Sequence, residues 1–224
     1  MADLTLAHEL ALLAYDDEGV DRVGTPNLGY GLAGAVLLDL TLAGRIEVAD
    51  DRVVVVDPSP LGQPTLDAAL TRIGAEAKRR RPKDWITRLS GDLRGPVLDE
   101  LVEAGVLRRE AGRVLGLFPR TRFPSTTGVE PAAEASARQR MHLAVATDGP
   151  VPARTAALVS LTRAVGLDRK LFRDLPKDQV KRRLKEIGEG SWASAATRRA
   201  VEETQAALIA ATATAAVIST TTAS

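Results

Sequence analysis

Two histidines and no cysteine stand among the 224 residues, so the means for nucleophilic, metal or redox chemistry are few. His8 and His142 lie in separate helical stretches, and neither has the H-E-x-x-H spacing that turns two imidazoles toward one metal ion. The lack of cysteine excludes disulfides and thiolate metal sites and fits a reducing compartment. There is no Walker loop, no G-x-G-x-x-G after a strand and no G-x-S-x-G elbow. A lone imidazole lacks the oriented partner that acid–base catalysis needs, so both histidines read as packing or surface residues. Asp50 and Asp51 form a carboxylate pair, but in an apparent turn, where they favour the bend and stay solvated. No catalytic residue, metal ligand or cofactor is expected, and a non-enzyme is the better reading.

Anion binding is the chemistry that remains. Gly31-Leu32-Ala33-Gly34 and Asp92-Leu93-Arg94-Gly95 both read as the opening of a helix, where free N–H groups point outward and attract phosphate. Arg94 adds a guanidinium fork at the second of these openings. An alternative of equal standing has Arg94 paired with a neighbouring carboxylate such as Asp92, or capping a nearby helix. Two basic clusters, Lys78 to Lys83 and the group Lys177, Lys181, Arg182, Arg183 and Lys185, would attract an anionic partner if they were not simply solvated faces.

The elements that must position these groups are duplicated. Sliding the chain by 61 positions lays Leu32 to Asp57 over Leu93 to Phe118 without a gap, with identities that include Gly34/Gly95, Leu40/Leu101, Gly44/Gly105, Arg52/Arg113 and Val53/Val114. Each copy reads as an apolar helix stopped by glycine, then two β-rich runs around a polar turn. In the first copy the helix, Leu32 to Ala43, is apolar on nearly every side except at Asp39 and must be buried. A loop containing Gly24, Pro26 and Gly29 is expected to lead into it. In the second copy Val97, Leu98, Leu101 and Val102 share one face, while Asp99, Glu100 and Glu103 are expected to face outward.

Around the repeat, the pattern predicts helices over Leu4 to Tyr15, around Leu66 to Ile73, and over a short segment from Pro82 carrying Trp85, Ile86 and Leu89. Further helices are expected over Ala132 to Thr147, Pro152 to Val165, a basic stretch with Val180, Leu184 and Ile187, and Ser194 to Ile218, before a frayed tail at 220–224. With 45% hydrophobic and only 3% aromatic residues, the core must be built from small aliphatic side chains on helices. The expected fold class is mainly α, a helical core surrounded by amphipathic helices with two helix-plus-hairpin repeats at the periphery, in a single domain over residues 1–224. The N-terminus lacks the basic start and cleavage signal of an export sequence. The longest apolar stretch, Ala206 to Ile218, is shorter than the ~20 residues a spanning helix needs.

Several segments together resemble the Golgi phosphoprotein 3 family. They are Leu-Thr-Leu-Ala-His-Glu-Leu-Ala-Leu-Leu (4–13) with the acidic turn to Gly19, Gly-Leu-Ala-Gly…Leu-Leu-Asp-Leu…Ala-Gly-Arg-Ile (31–46), and Asp57 to Gly62 with Leu66-Asp67. Trp85-Ile86 with Leu89-Ser90-Gly91, Leu101-Val102-Glu103-Ala104-Gly105-Val106-Leu107, and Arg154-Thr155-Ala156-Ala157-Leu158-Val159 complete the set. The order and spacing carry the resemblance, which covers essentially the whole chain, and the Ala- and Arg-rich composition looks like a bacterial member.

The resemblance implies a mostly helical domain that binds phosphatidylinositol 4-phosphate at a membrane surface and, in eukaryotes, links membrane enzymes to Golgi transport. It implies a headgroup pocket of one tryptophan and three arginines, whose positions fall here at Gly24 and at Ala33, Gly91 and Arg94. Of these four positions, Arg94 alone keeps the pocket residue, with Arg22, Tyr30 and Arg88 as weaker candidates to substitute. The expectation is a peripheral protein at the inner, cytoplasmic face of a membrane. Its partners would be an anionic phospholipid or phosphoinositide headgroup, the membrane surface and further proteins, but not nucleic acid. The runner-up readings are a winged-helix-like nucleic-acid binder, suggested by a helix followed by a two-stranded wing, and a protein-interaction scaffold without lipid specificity.

Overall fold

The computed structural model describes residues 4–114, 118–189 and 202–213. Helix α1 (Leu6–Ala14) is closed at its start by a capping box in which His8 N–H donates to the Thr5 hydroxyl and Thr5 N–H donates to His8 Nδ1. All nine of its residues are buried, as its near-continuous Leu/Ala composition requires.

Helix α2 (Thr25–Leu42) packs against α1 and lies at the centre of the molecule. It begins at Thr25, well before the Leu32 expected from the repeat. Pro26 is accommodated in the first turn, where no intrahelical N–H is needed. Gly29 persists inside the helix because an added Cβ would come 2.5 Å from the Ser90 carbonyl oxygen of a neighbouring loop. Gly31 and Gly34 are therefore interior helix positions facing side chains of the core, and the first of the two anion-binding helix openings is not one.

Around this pair stand α3 (Pro64–Gly74), α4 (Pro82–Leu89), α5 (Arg94–Glu103), α6 (Ala132–Ala146), α7 (Ala153–Ala164), the short α8 (Asp168–Leu171) and α9 (Lys177–Gly188), with a further helix over 202–213. The remainder of the segment expected as helix from Ser194 to Ile218, and the tail at 220–224, lie outside the described residues. Side chains from Leu6 to Leu208 form one connected core that includes Trp85, Ile86 and Leu101, each nearly inaccessible. The mainly α class follows from the described elements.

The hairpins lie at the periphery. β1 (Ile46–Ala49) and β2 (Arg52–Val55) pair antiparallel with Ile46 opposite Val55, joined by Asp50 and Asp51, both at positive φ as a tight two-residue turn requires. β3 (Glu110–Val114) and β4 (Phe118–Arg122) form the second hairpin. Leu107, the counterpart of Ile46, forms an isolated bridge with Ser125. Thus Val53 lies on a returning strand and Val114 on an outgoing one, and the last two identities of the repeat are not structurally equivalent. The helix stops are equivalent: Arg45 N–H donates to Leu40 and Val106 N–H to Leu101, each across a glycine turn.

In the second basic cluster Arg183 is structural, while Lys177, Lys181, Arg182 and Lys185 are exposed. Arg183 on α9 is 5% exposed, and its Nη2 donates to the carbonyls of Ala144 (3.0 Å) and Gly149 (3.2 Å), while Gln179 donates to Ala146 (2.7 Å). These bonds satisfy the free carbonyls at the end of α6 with a cation and an amide. Arg182 pairs with Asp148 and Glu186, both at 3.0 Å. Arg183→Ala is expected to cost about 2–4 kcal/mol in urea unfolding by stranding two carbonyls. Arg183→Lys should recover only part of it, because one ammonium does not reproduce the planar fork.

Candidate functional site

Two loops and one helix start converge around Arg94. The first loop runs from the end of α1 to the start of α2. Tyr15 ends α1 and forms an isolated antiparallel bridge with Asp21 across the turn at Gly19. The second loop joins α4 to α5 and reaches α2 at the close approach of Ser90 to Gly29.

Arg94, the first residue of α5, extends back over the first loop. Its Nε donates to the Tyr15 hydroxyl at 3.0 Å, and its guanidinium carbon stands 5.9 Å from the centre of the Tyr15 ring. Its Nη2 lies 3.4 Å from Asp21 Oδ2. The other oxygen of Asp21 accepts from Val23 N–H and Gly24 N–H, both at 2.9 Å, and so ties off the start of α2. Burial raises the Tyr15 phenol above its ordinary range, against the lowering effect of Arg94, so at neutral pH the hydroxyl is the neutral acceptor this arrangement needs.

The alternative that Arg94 pairs with a carboxylate is realised, but with Asp21 and not with Asp92, which pairs with Arg72 at 3.0 Å. Arg94 keeps about a third of its side-chain surface exposed. Gly24 and Gly91, exposed and with open space where a Cβ would stand, flank it on the two loops. Ala33, by contrast, is wholly buried within α2.

The weaker candidates divide. Arg22 belongs to the first loop, half-exposed and paired with Asp16. Tyr30 stands on the second turn of α2, partly buried against the core. Arg88 faces elsewhere, with its Nη1 3.5 Å from Glu76, a carboxylate that also holds Arg80 on the connection between α3 and α4. That connection is the first basic cluster. It runs beside β2, with Val53 N–H donating to the Arg80 carbonyl and Arg52 to the Arg79 carbonyl.

The histidines are structural. His8 is buried and accepts at Nδ1 from Thr5, so Nε2 carries the proton and donates to Glu100 at 2.8 Å. Burial holds its pKa below the ordinary histidine value, with Glu100 opposing. Glu100 in turn accepts from the Thr65 N–H and hydroxyl at 2.8 and 2.6 Å. Glu100 therefore turns inward, contrary to the outward orientation expected from the helix pattern. A hydroxyl, an imidazole and a carboxylate stand in line, but the Thr5 hydroxyl is a buried helix cap rather than a nucleophile open to substrate. His142 is exposed and pairs with Asp174 at 2.8 Å. Among the described residues no group of three or more His, Asp or Glu side chains is arranged to hold a metal ion.

A second ionic cluster lies at the start of α1. Asp39, 6% exposed on α2, accepts from Leu6 N–H at 2.8 Å and faces Arg154 at 3.4 Å. Glu9 is held by Arg140 at 2.9 Å and Arg154 at 3.4 Å. Both arginines line a groove of about 1010 Å³ between α1, α6 and the 125–133 segment. Sequence reasoning singled out neither Asp21, an ordinary loop residue by pattern, nor Tyr15, the last residue of the first expected helix.

A family model described as Golgi phosphoprotein 3 (GPP34) matches residues 6–204. A relative, the vacuolar protein sorting-associated protein 74 of Eremothecium gossypii, is 33% identical over 135 residues. That alignment covers 48% of this chain and 40% of the relative, so the match spans less than half of the relative's length.

Proposed function

The chain belongs to the Golgi phosphoprotein 3 family, and on that basis we propose that it is a non-enzymatic peripheral membrane protein binding an anionic phospholipid headgroup through Arg94. The observation that carries this reading is the placement of Arg94. It is the one family pocket arginine retained, it is partly exposed, and it is flanked by Gly24 and Gly91 at two other pocket positions. Phosphatidylinositol 4-phosphate is the ligand the family suggests. With Ala33 buried and no arginine at Gly91, the phosphate is held by one guanidinium, the nearby N–H groups and Arg22, the one basic residue of the first loop. Such a site binds weakly and loses affinity steeply with salt.

Location at the cytoplasmic membrane face, and a single domain over the whole chain, belong to the same proposal. Among the described residues no helix is long and apolar enough to cross a membrane. A nucleic-acid role finds no support in either repeat helix. α2 is enclosed by the core over most of its length, and α5 presents Asp99 and Glu103 to solvent, which repel phosphodiester backbones.

Flotation with vesicles containing phosphatidylinositol 4-phosphate tests the reading. The protein is expected to bind at low salt, and Arg94→Ala to lower that binding about tenfold or more, as loss of a charge-assisted bond implies. Absence of binding at low salt would overturn it.

A further inference from the structure

We propose that Asp21 is an internal counter-anion of the Arg94 site, and that it restricts the site to phosphomonoester headgroups over phosphodiesters. The inference rests on the headgroup reading above. Its carboxylate already makes the contacts an incoming phosphate oxygen would seek. One oxygen takes two backbone N–H groups at the start of α2, and the other faces the Arg94 fork. Asp21 is only 11% exposed at its side chain, so this is a seated group and not a passing surface charge.

Arg94 cannot easily carry its charge away to meet a ligand elsewhere. Its Nε is fixed on the Tyr15 hydroxyl and its guanidinium carbon stands 5.9 Å from the centre of the Tyr15 ring. A ligand that takes the Nη2 edge of the fork therefore comes to the place that Asp21 occupies. The two contacts of Asp21 are unequal in strength. The N–H bonds at 2.9 Å are well formed, whereas 3.4 Å to Nη2 is longer than the 2.7–2.9 Å usual for a charge-assisted bond. The Arg94 side of the carboxylate is the side that yields.

Charge decides which ligand can make it yield. A phosphodiester brings one negative charge, which Asp21 supplies already without any cost of association. A phosphomonoester brings about −1.5 to −2 and three strong acceptor oxygens, so exchange favours it. The residue that weakens the site is thus also the one that selects for the more highly charged phosphate.

The test uses Asp21→Asn, which keeps an acceptor for Val23 and Gly24 N–H and removes the charge, with Asp21→Ser as a second charge-free cap. Asp17→Asn, at an exposed neighbour in the same loop, makes the same change in net charge. Binding is measured to phosphatidylcholine vesicles doped with phosphatidylinositol 4-phosphate or, at equal mole fraction, with phosphatidylinositol. The wild type is expected to bind the first and not the second. Asp21→Asn is expected to bind the first about tenfold more tightly and to gain binding to the second, whereas Asp17→Asn gains neither.

Adding Arg94→Ala to Asp21→Asn should abolish the gain, and the soluble headgroup, free of its lipid, should release the variant from vesicles. If the wild type binds and Asp21→Asn binds no tighter, the role of Asp21 is overturned while the headgroup reading stands. An equal gain from Asp17→Asn, a gain that survives Arg94→Ala, or failure of the soluble headgroup to compete overturns it as well. If no protein in the set binds either vesicle, the headgroup reading falls and the role of Asp21 falls with it.

Discussion

The contribution of Asp39 to stability is expected to fall as pH rises from about 4 to about 7, by on the order of 3 kcal/mol, and Asp39→Asn to remove that dependence. Burial pushes the Asp39 carboxyl up to about 7, against the lowering effects of the Leu6 N–H, Arg154 and the Ala7 N–H, with Glu9 adding to the rise. The folded pKa then lies above the unfolded one, so the folded state binds the proton more tightly. Stability from this group is full below about pH 4 and is lost as pH climbs through about 7. Glu134, also raised to about 7 by burial with Arg138 opposing, acts in the same direction. His8, whose folded pKa is lowered, acts in the opposite one. Urea midpoints across pH 4 to 8 for wild type and Asp39→Asn isolate Asp39 as the difference between two curves, because Glu134 and His8 are common to both. A flat difference would mean that Arg154 and the helix-start N–H groups outweigh burial and keep Asp39 ionised throughout.

Asp39 also marks how much was legible in the sequence. It was visible as the one charge in an otherwise apolar helix, and its isolation is what a buried, partnered carboxylate looks like in a pattern. Its partners were not visible, since Leu6 and Arg154 come from α1 and α7, and no local period relates them. The amphipathic helices α3, α4 and α5 and the first hairpin were legible because their signals are local: Pro in the first turn, Leu spacing, and a two-residue acidic turn. The start of α2 was misplaced for a physical reason. Pro26 and Gly29 read as loop residues, and only the close packing of Gly29 on Ser90 explains a glycine inside that helix. At the site, Arg94 was legible from its helix start and from family resemblance. Asp21 and Tyr15 were not, because each acquires its role only when the chain returns with Arg94, 79 residues after Tyr15.

The same dependence on distant packing makes Gly19→Ala the substitution with the largest expected effect on fold and site together. Gly19 has φ +72, and an added Cβ would stand 2.3 Å from Pro124 N and 2.4 Å from the Phe123 carbonyl carbon. Those are backbone atoms, so no rotamer change relieves the overlap and one segment must move. The cost is expected to be on the order of 3 kcal/mol or more, the sum of left-handed strain for alanine and displacement of the strand end. Gly62→Ala is the comparison. Its φ is +73 with nothing within 4 Å of the added carbon, so strain alone applies, roughly 1–2 kcal/mol. The displacement should also reach the site. Gly19 accepts from Phe123 N–H at 3.0 Å, and the Phe123 ring meets Tyr15 edge-on at 6.0 Å. Tyr15 fixes Arg94, and Asp21 follows Gly19 by two residues on the same turn. Under conditions where both variants remain folded, Gly19→Ala is expected to change Arg94-dependent vesicle binding several-fold, and Gly62→Ala to leave it unchanged. Equal losses of stability in the two variants would show that the strand end at 123–124 gives way at little cost. The first loop would then be positioned without it, and the frame around Arg94 would reduce to the contacts of Tyr15 and Asp21 themselves.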